Sequence, residues 1–236
     1  MRLLTLSTLL VLLGAVAACS GDNGDDAYRQ AAEQAVREAV LTLDDLPGGW
    51  TNSDVSGAYA DLELSGNCSR LNGRGAGFPD EVASRDSDSF TGPSGQELAS
   101  TVSAFTSPET AAAAVQLADD LVHQCTDQLE EALKRAIRNA AADRNLDRLL
   151  DDIDAVVEPA GFTALGDETA AYRLKADFSA LVFDYEVNGR IIVIRVGPLT
   201  GVLIYAILGD LDEEDELSVA AALAGKLRKA EESLVD

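Results

Sequence analysis

Apolar residues recur along this chain with two periods, one near 3.6 and one of 2, and the changes between them divide it into elements. From Asp25 to Leu41, Ala32, Ala35, Val36, Ala39 and Val40 fall at helical spacing while Arg29, Glu33 and Arg37 lie elsewhere around the axis, which predicts a first helix. Leu46-Pro47-Gly48-Gly49-Trp50 stops it, and Trp50 offers a large core anchor just past the turn. Residues 51–84 are rich in Gly, Ser, Asn and Asp, which predicts an ordered loop held at Cys68, since a free loop of that length is unusual inside a compact domain. Two strands are expected near Val82–Thr91 and Leu98–Thr106, joined as a hairpin by Gly92-Pro93-Ser94-Gly95.

Ser107-Pro108-Glu109 then places a cap, a first-turn proline and an early acid in order, so a helix begins there and runs to about Cys125. A second amphipathic stretch is expected from Asp127 to Val157, as one helix or two, on Leu129, Leu133, Ile137, Leu146, Leu149, Leu150, Ile153 and Val157. Pro159 and Gly161 end it. Tyr172, Leu174, Ala176 and Phe178 alternate with Arg173, Lys175 and Asp177, the pattern of a strand with one wet face. Asn188-Gly189 is the preferred pair for a two-residue hairpin turn, which would set Val187 opposite Arg190, Tyr185 opposite Ile192 and Phe183 opposite Ile194. Gly197-Pro198 turns into a nearly all-apolar strand, Val202–Leu208, expected at the centre of its sheet. Asp210 or Asp212 can cap a closing helix with Leu217, Ala220, Ala221, Ala224 and Leu227 as its buried stripe. The expected class is α+β: an antiparallel sheet of about 5–6 strands, ending in a C-terminal meander, with helices packed on one face.

The first residues change the setting. Leu3–Ala18 is an apolar run after the single charge Arg2, and Val16-Ala17-Ala18-Cys19 has the form of a bacterial lipoprotein box. Cleavage before Cys19 and lipidation of its thiol would leave a protein anchored to the membrane through acyl chains rather than spanning it. Ser20–Asp26 is small, polar and acidic, as suits a tether. The expected organisation is a signal peptide over 1–18, a tether over 19–26 and one extracytoplasmic domain over 27–236, with a break near 158–166 as the fallback. With Cys19 lipidated, Cys68 and Cys125 remain, and outside the cytoplasm an even pair reads as a disulfide.

Charge excludes one class of partner. The 236 residues hold 41 acidic and 18 basic side chains, a formal net charge of −23. Binding to a phosphate backbone requires clustered Lys and Arg, which are scattered here, so nucleic acid is not a partner. Anionic headgroups repel such a surface too, leaving attachment to the acyl chains.

Catalysis finds little support. His123 is the sole histidine and stands two residues from Cys125 on a helix, where side chains do not face each other. No Gly-x-Ser-x-Gly elbow exists. One histidine rules out a histidine-rich zinc site. The acidic run Asp210–Glu216 lacks the glycine and spacing of a calcium loop and lies where a helix begins, where acids favour the dipole anyway. Gly73-x-Gly75-x-Gly77 has no strand leading into it and no helix following it. The sequence therefore predicts no catalytic residue, cofactor or metal, and no enzyme.

Leu41-Thr42-Leu43-Asp44-Asp45-Leu46-Pro47-Gly48-Gly49-Trp50-Thr51, Cys68, the Val102–Phe105 strand before an Ala-rich helix ending at Cys125, and Gly166-Asp167-Glu168-Thr169 before the meander together resemble a group of actinobacterial-type secreted lipoproteins. They are also distantly similar to the extracytoplasmic sensor domain of mycobacterial PknH-type receptor kinases. The resemblance implies an α+β sandwich with a ligand cleft; it departs from the receptor kinases in carrying no kinase domain and a single cysteine pair. The expected function is a lipid-anchored binding or sensor-like lipoprotein of the cell envelope, with a small molecule or envelope component as ligand. The alternative is an envelope scaffold that docks a protein. An apolar cleft with a few polar groups would favour the first, and a flat apolar patch the second. A third reading, a carboxylate hydrolase, requires two converging buried acids.

Overall fold

The computed structural model describes residues 23–53, 64–71, 78–142, 150–180 and 183–235. Helix α1 (Asn23–Ala39) leads to a two-residue strand β1 (Thr51–Asn52), then β2 (Glu81–Asp86), β3 (Phe90–Thr91) and β4 (Glu97–Phe105). Helices α2 (Pro108–Gln124) and α3 (Thr126–Ala142) follow, and then β5 (Leu150–Ala160), β6 (Glu168–Ala180), β7 (Phe183–Val196), β8 (Leu199–Leu208) and α4 (Glu213–Val235). All eight strands form one antiparallel sheet in the order β1-β3-β4-β8-β7-β6-β5, with β2 beside β3 on the same edge of β4.

The α+β class with helices on an antiparallel sheet is what the chain adopts. Two details differ from expectation. The expected 82–91 strand is split at Ser87, whose backbone N–H and side-chain oxygen both engage Ser100 of β4 and swing the chain from β2 to β3. This division, together with the short β1 and the strand β5, brings the sheet to eight strands. The helices, moreover, cover both faces. On β7, Ile192 and Ile194 enter a core with α1 and α4, whereas Ile191 and Val193 turn to a second core with α2 and α3. Alternation along a strand that is apolar on both sides leaves neither face to solvent.

The first core gathers Val36 and Ala39 of α1, Trp50, Val102 of β4, Leu203 and Tyr205 of β8, and Leu223 and Leu227 of α4. Helix α4 lies close on the sheet at Gly201, where a Cβ would meet Leu223 and Leu227 side chains at 3.0 Å. Its buried stripe is Glu216, Val219, Ala220, Leu223, Ala224, Leu227 and Ala230; Leu217 and Ala221, expected inside, are exposed. Asp212 caps it, accepting from the N–H groups of Glu214 and Asp215. The second core packs Val115 and Val122 of α2 and Leu129 and Leu133 of α3 on Ile153, Val157, Tyr172 and Leu174. Ser107 caps α2 as expected, accepting from Thr110 N–H, with Pro108 in the first turn.

Two expectations are overturned. The 127–157 stretch is helical only to Ala142; from Leu150 it is strand β5, paired to β6. Ile153 and Val157 fit both periods, but Ile153, Ala155 and Val157 are buried with exposed Asp152, Asp154 and Val156 between them. Leu146 and Leu149 lie outside the described residues. Asn188-Gly189 is no turn: β7 passes straight through it, setting Val187 against Leu208, Tyr185 against Phe178 and Ile192 against Leu203. A Cβ at Gly189 would stand 2.9 Å from the Tyr205 carbonyl oxygen, and the Asn188 amide donates to Glu186 and to the Gly209 carbonyl. Both residues serve the interior of a strand. The β6–β7 connection, two residues after Ala180, lies outside the described residues.

Candidate functional site

Cys68 and Cys125 are bonded, with Cα atoms 5.8 Å apart across a sequence separation of 57. The bridge ties the short 3-10 turn Gly66–Leu71 to the C-cap of α2, and both cysteines are buried in the second core. Residues 1–22, with Cys19 and the expected signal segment among them, lie outside the described residues, as do Gly73, Gly75 and Gly77. Among the described residues no helix is long and apolar enough to cross a membrane, and no group of three His, Cys, Asp or Glu side chains converges as a metal site. His123 is exposed on α2, its Nε2 3.8 Å from Asp119 one turn earlier.

On the second face an open groove of about 430 Å³ runs between α2 and β6, lined by Val115, Gln116, Asp119, Asp120, Glu168 and Ala170. The helix supplies its acids because Val115 and Val122 face the core, which leaves Gln116, Asp119 and Asp120 along the outer flank. Tyr172 rises from β6 and donates its hydroxyl to Asp119 Oδ1, fixing helix to sheet beside the groove. Burial, reinforced by that carboxylate, raises the Tyr172 pKa, so the phenol stays a donor. Glu168 is held by Arg195 Nε at 3.2 Å. The lining differs from the apolar cleft that would favour a binding module: carboxylates and an amide dominate, which attracts cationic and hydroxyl-bearing molecules and repels anions. No local motif could have foretold it, since its walls come from segments fifty residues apart that only the α2–β6 packing joins.

Across the sheet lies a second polar cluster. Glu216 is 0% exposed, its carboxylate 3.2 Å from Arg190 Nε. The guanidinium sits 5.6 Å from the centre of the Phe162 ring. Both carboxylate oxygens lack a well-aligned hydrogen-bond donor, so the pair meets by charge rather than as a formed fork. Burial pushes the Glu216 pKa up to about 7, with Arg190 opposing and Glu213 adding to the rise. Beside it Asp215 accepts from the Tyr205 hydroxyl at 2.9 Å. Sequence reasoning missed Glu216 because it ends an acidic run suited to a helix start, and the helix is rotated one residue from the stripe anchored on Leu217. Among the described residues it is the one fully buried carboxylate, and the acids of the groove are partly or fully exposed.

Fold and site together define an α+β domain in which a helix-flanked antiparallel sheet carries an open acidic groove. The solved structure of the extracellular domain of PknH from Mycobacterium tuberculosis has this fold: the two superpose with a TM-score of 0.50 at 12% sequence identity, over 84% of this chain and 97% of that one. No family model and no curated protein matches the sequence.

Proposed function

We propose that this chain is a lipid-anchored, extracytoplasmic binding or sensor-like lipoprotein of the bacterial cell envelope, held to the membrane through lipid on Cys19. The observation that carries the reading is the groove under α2, whose 430 Å³ falls within the size range of small-ligand sites. Three further points support it. The shared fold is that of an extracellular domain, the one described disulfide suits an oxidising compartment, and the sequence opens with a lipoprotein-type leader. The ligand class the lining favours is a small organic cation or a hydroxyl-rich molecule, bound without chemical change and without cofactor or nucleic acid.

Native mass spectrometry of the lipid-bearing protein, drawn gently from its own membranes and compared with its denatured mass, tests this reading. The expected result is a reproducible non-covalent adduct of small-molecule size, lost when Asp119 and Asp120 are both changed to Asn. A bare mass under every extraction condition would sink the groove as a binding site. In the same preparation Cys19→Ala should lack the acyl mass and leave the membrane fraction. The alternative role, an envelope scaffold, is favoured by one separate feature at the far end of the sheet.

A further inference from the structure

Strands β6 and β7 run past their neighbour. β8 ends at Leu208, paired with Val187, so among the described residues the β7 edge from Phe183 to Tyr185 has no strand beside it. The side chains at this end are sorted by face. Phe178 and Tyr185 are stacked with ring centres 5.5 Å apart, and Phe183, Val187 and Leu208 share their side of the sheet by register. Phe183 is 61% exposed, Leu208 56% and Tyr185 36%, although their inner neighbours Phe178 and Val187 pack on the second core. Among the described residues the reverse side carries Asp154, Asp177, Asp184 and Glu186; Lys175 pairs with Asp177 at 3.2 Å and Glu186 at 3.1 Å, and Lys134 of α3 acts on Asp154, which leaves Asp184 and a net acidic charge. An open strand edge, aromatic on one side and net acidic on the other, is a template for strand addition.

The first turns of α1 lie at the opposite end. The Tyr28 hydroxyl of α1 donates to the carbonyl of Phe105, beside the Gly197-Pro198 turn. Along the ten residues of β8 and the projecting part of β7, at about 3.4 Å per residue, the aromatic end lies roughly 40 Å away. A flexible tether ahead of α1 leaves this end free to face away from the bilayer. A second copy is disfavoured because each carries a net charge of −23.

We propose that the projecting β6–β7 end docks an extended polypeptide segment of alternating apolar and basic residues. Its apolar side chains lie on Phe183, Tyr185 and Leu208, and its basic ones lie beside Asp184 and Glu186. Period-two alternation is what delivers the two kinds of side chain to the two sides of the added strand. The docking surface is separate from the groove and stands or falls without it.

The test is photo-crosslinking of the full-length, lipid-bearing chain in the cells that make it, with benzoylphenylalanine at position 183 and, as a control, at exposed Leu43. The expected product is a polypeptide adduct at 183 and not at 43, whose crosslinked peptide has alternating apolar and basic residues. Its yield should fall at least five-fold between 0.05 and 0.5 M salt in isolated membranes, and likewise in a chain carrying Asp184→Asn with Glu186→Gln. Should that double variant melt early, the salt series on the unaltered acids decides alone. An adduct to a second copy, to lipid or to polysaccharide, an adduct to a segment without basic residues, or none above the control would each overturn the proposal.

Discussion

The two faces of the sheet are built by different means. On the α1/α4 side, long helices lay alanine and leucine against β4, β7 and β8, and the layer closes over a single buried acid, Glu216. On the α2/α3 side the cover lacks a helix as long as α4, includes a disulfide, and leaves both an acidic groove and an aromatic end open to solvent. The contrast shows where the candidate binding surfaces lie: on the face whose apolar cover stops early and whose order is reinforced covalently.

The comparison can be broken first at the bridge. Replacing Cys68 and Cys125 together by Ser should lower stability by roughly 4 kcal/mol, because a cross-link over 57 positions restricts the unfolded chain that much. Urea unfolding of the oxidised protein beside the variant reads this out, and matching midpoints would mean that the α2/α3 face stands on packing alone. The other face has its weak point at Glu216. Its folded pKa of about 7 lies above the ordinary 4.5, so the native state holds the proton more firmly than the unfolded chain. Stability from this group is fully present below pH 4.5 and is lost as pH rises through 7, by up to about 3 kcal/mol. The Glu216→Gln variant should lack that slope, so the difference between the two pH–stability curves should carry it, whereas parallel curves would place the titration elsewhere. The smallest effect is expected at the open end: Phe183→Thr and Leu208→Thr should each change stability by no more than about 0.5 kcal/mol, as surface positions do. A loss above 1 kcal/mol in thermal melting would make that end part of the core.

Where one local rule acted alone, the sequence was enough. Ser107-Pro108 starts α2, the Tyr172–Phe178 alternation is strand β6, Gly197-Pro198 separates β7 from β8, and the cysteine pair is bonded. Local reading failed where two rules competed. Asn188-Gly189 has a strong turn preference, but the narrow approach of β8 at Tyr205 and the amide contacts of Asn188 use the same two residues inside a strand. Ile153 and Val157 satisfy both periods, and the pairing with β6 chose between them. Of the candidate sites, the disulfide was legible because only two cysteines remained after Cys19. The groove and the buried acid were not, since each depends on which residue of a helix turns inward against a distant strand.

The pairing of β4 with β8 spans about a hundred residues, and α1 meets α4 across nearly the whole chain. Loop-closure entropy must be overcome before either contact rewards the molecule, which slows folding. The first core therefore cannot close on a growing chain: α1 can meet β2 and β4 early, but its cover from β8 and α4 comes from the last segments to emerge. Assembly of that face waits for the last segment to be made, and a chain stopped before α4 would leave the apolar side of β8 uncovered and prone to aggregate.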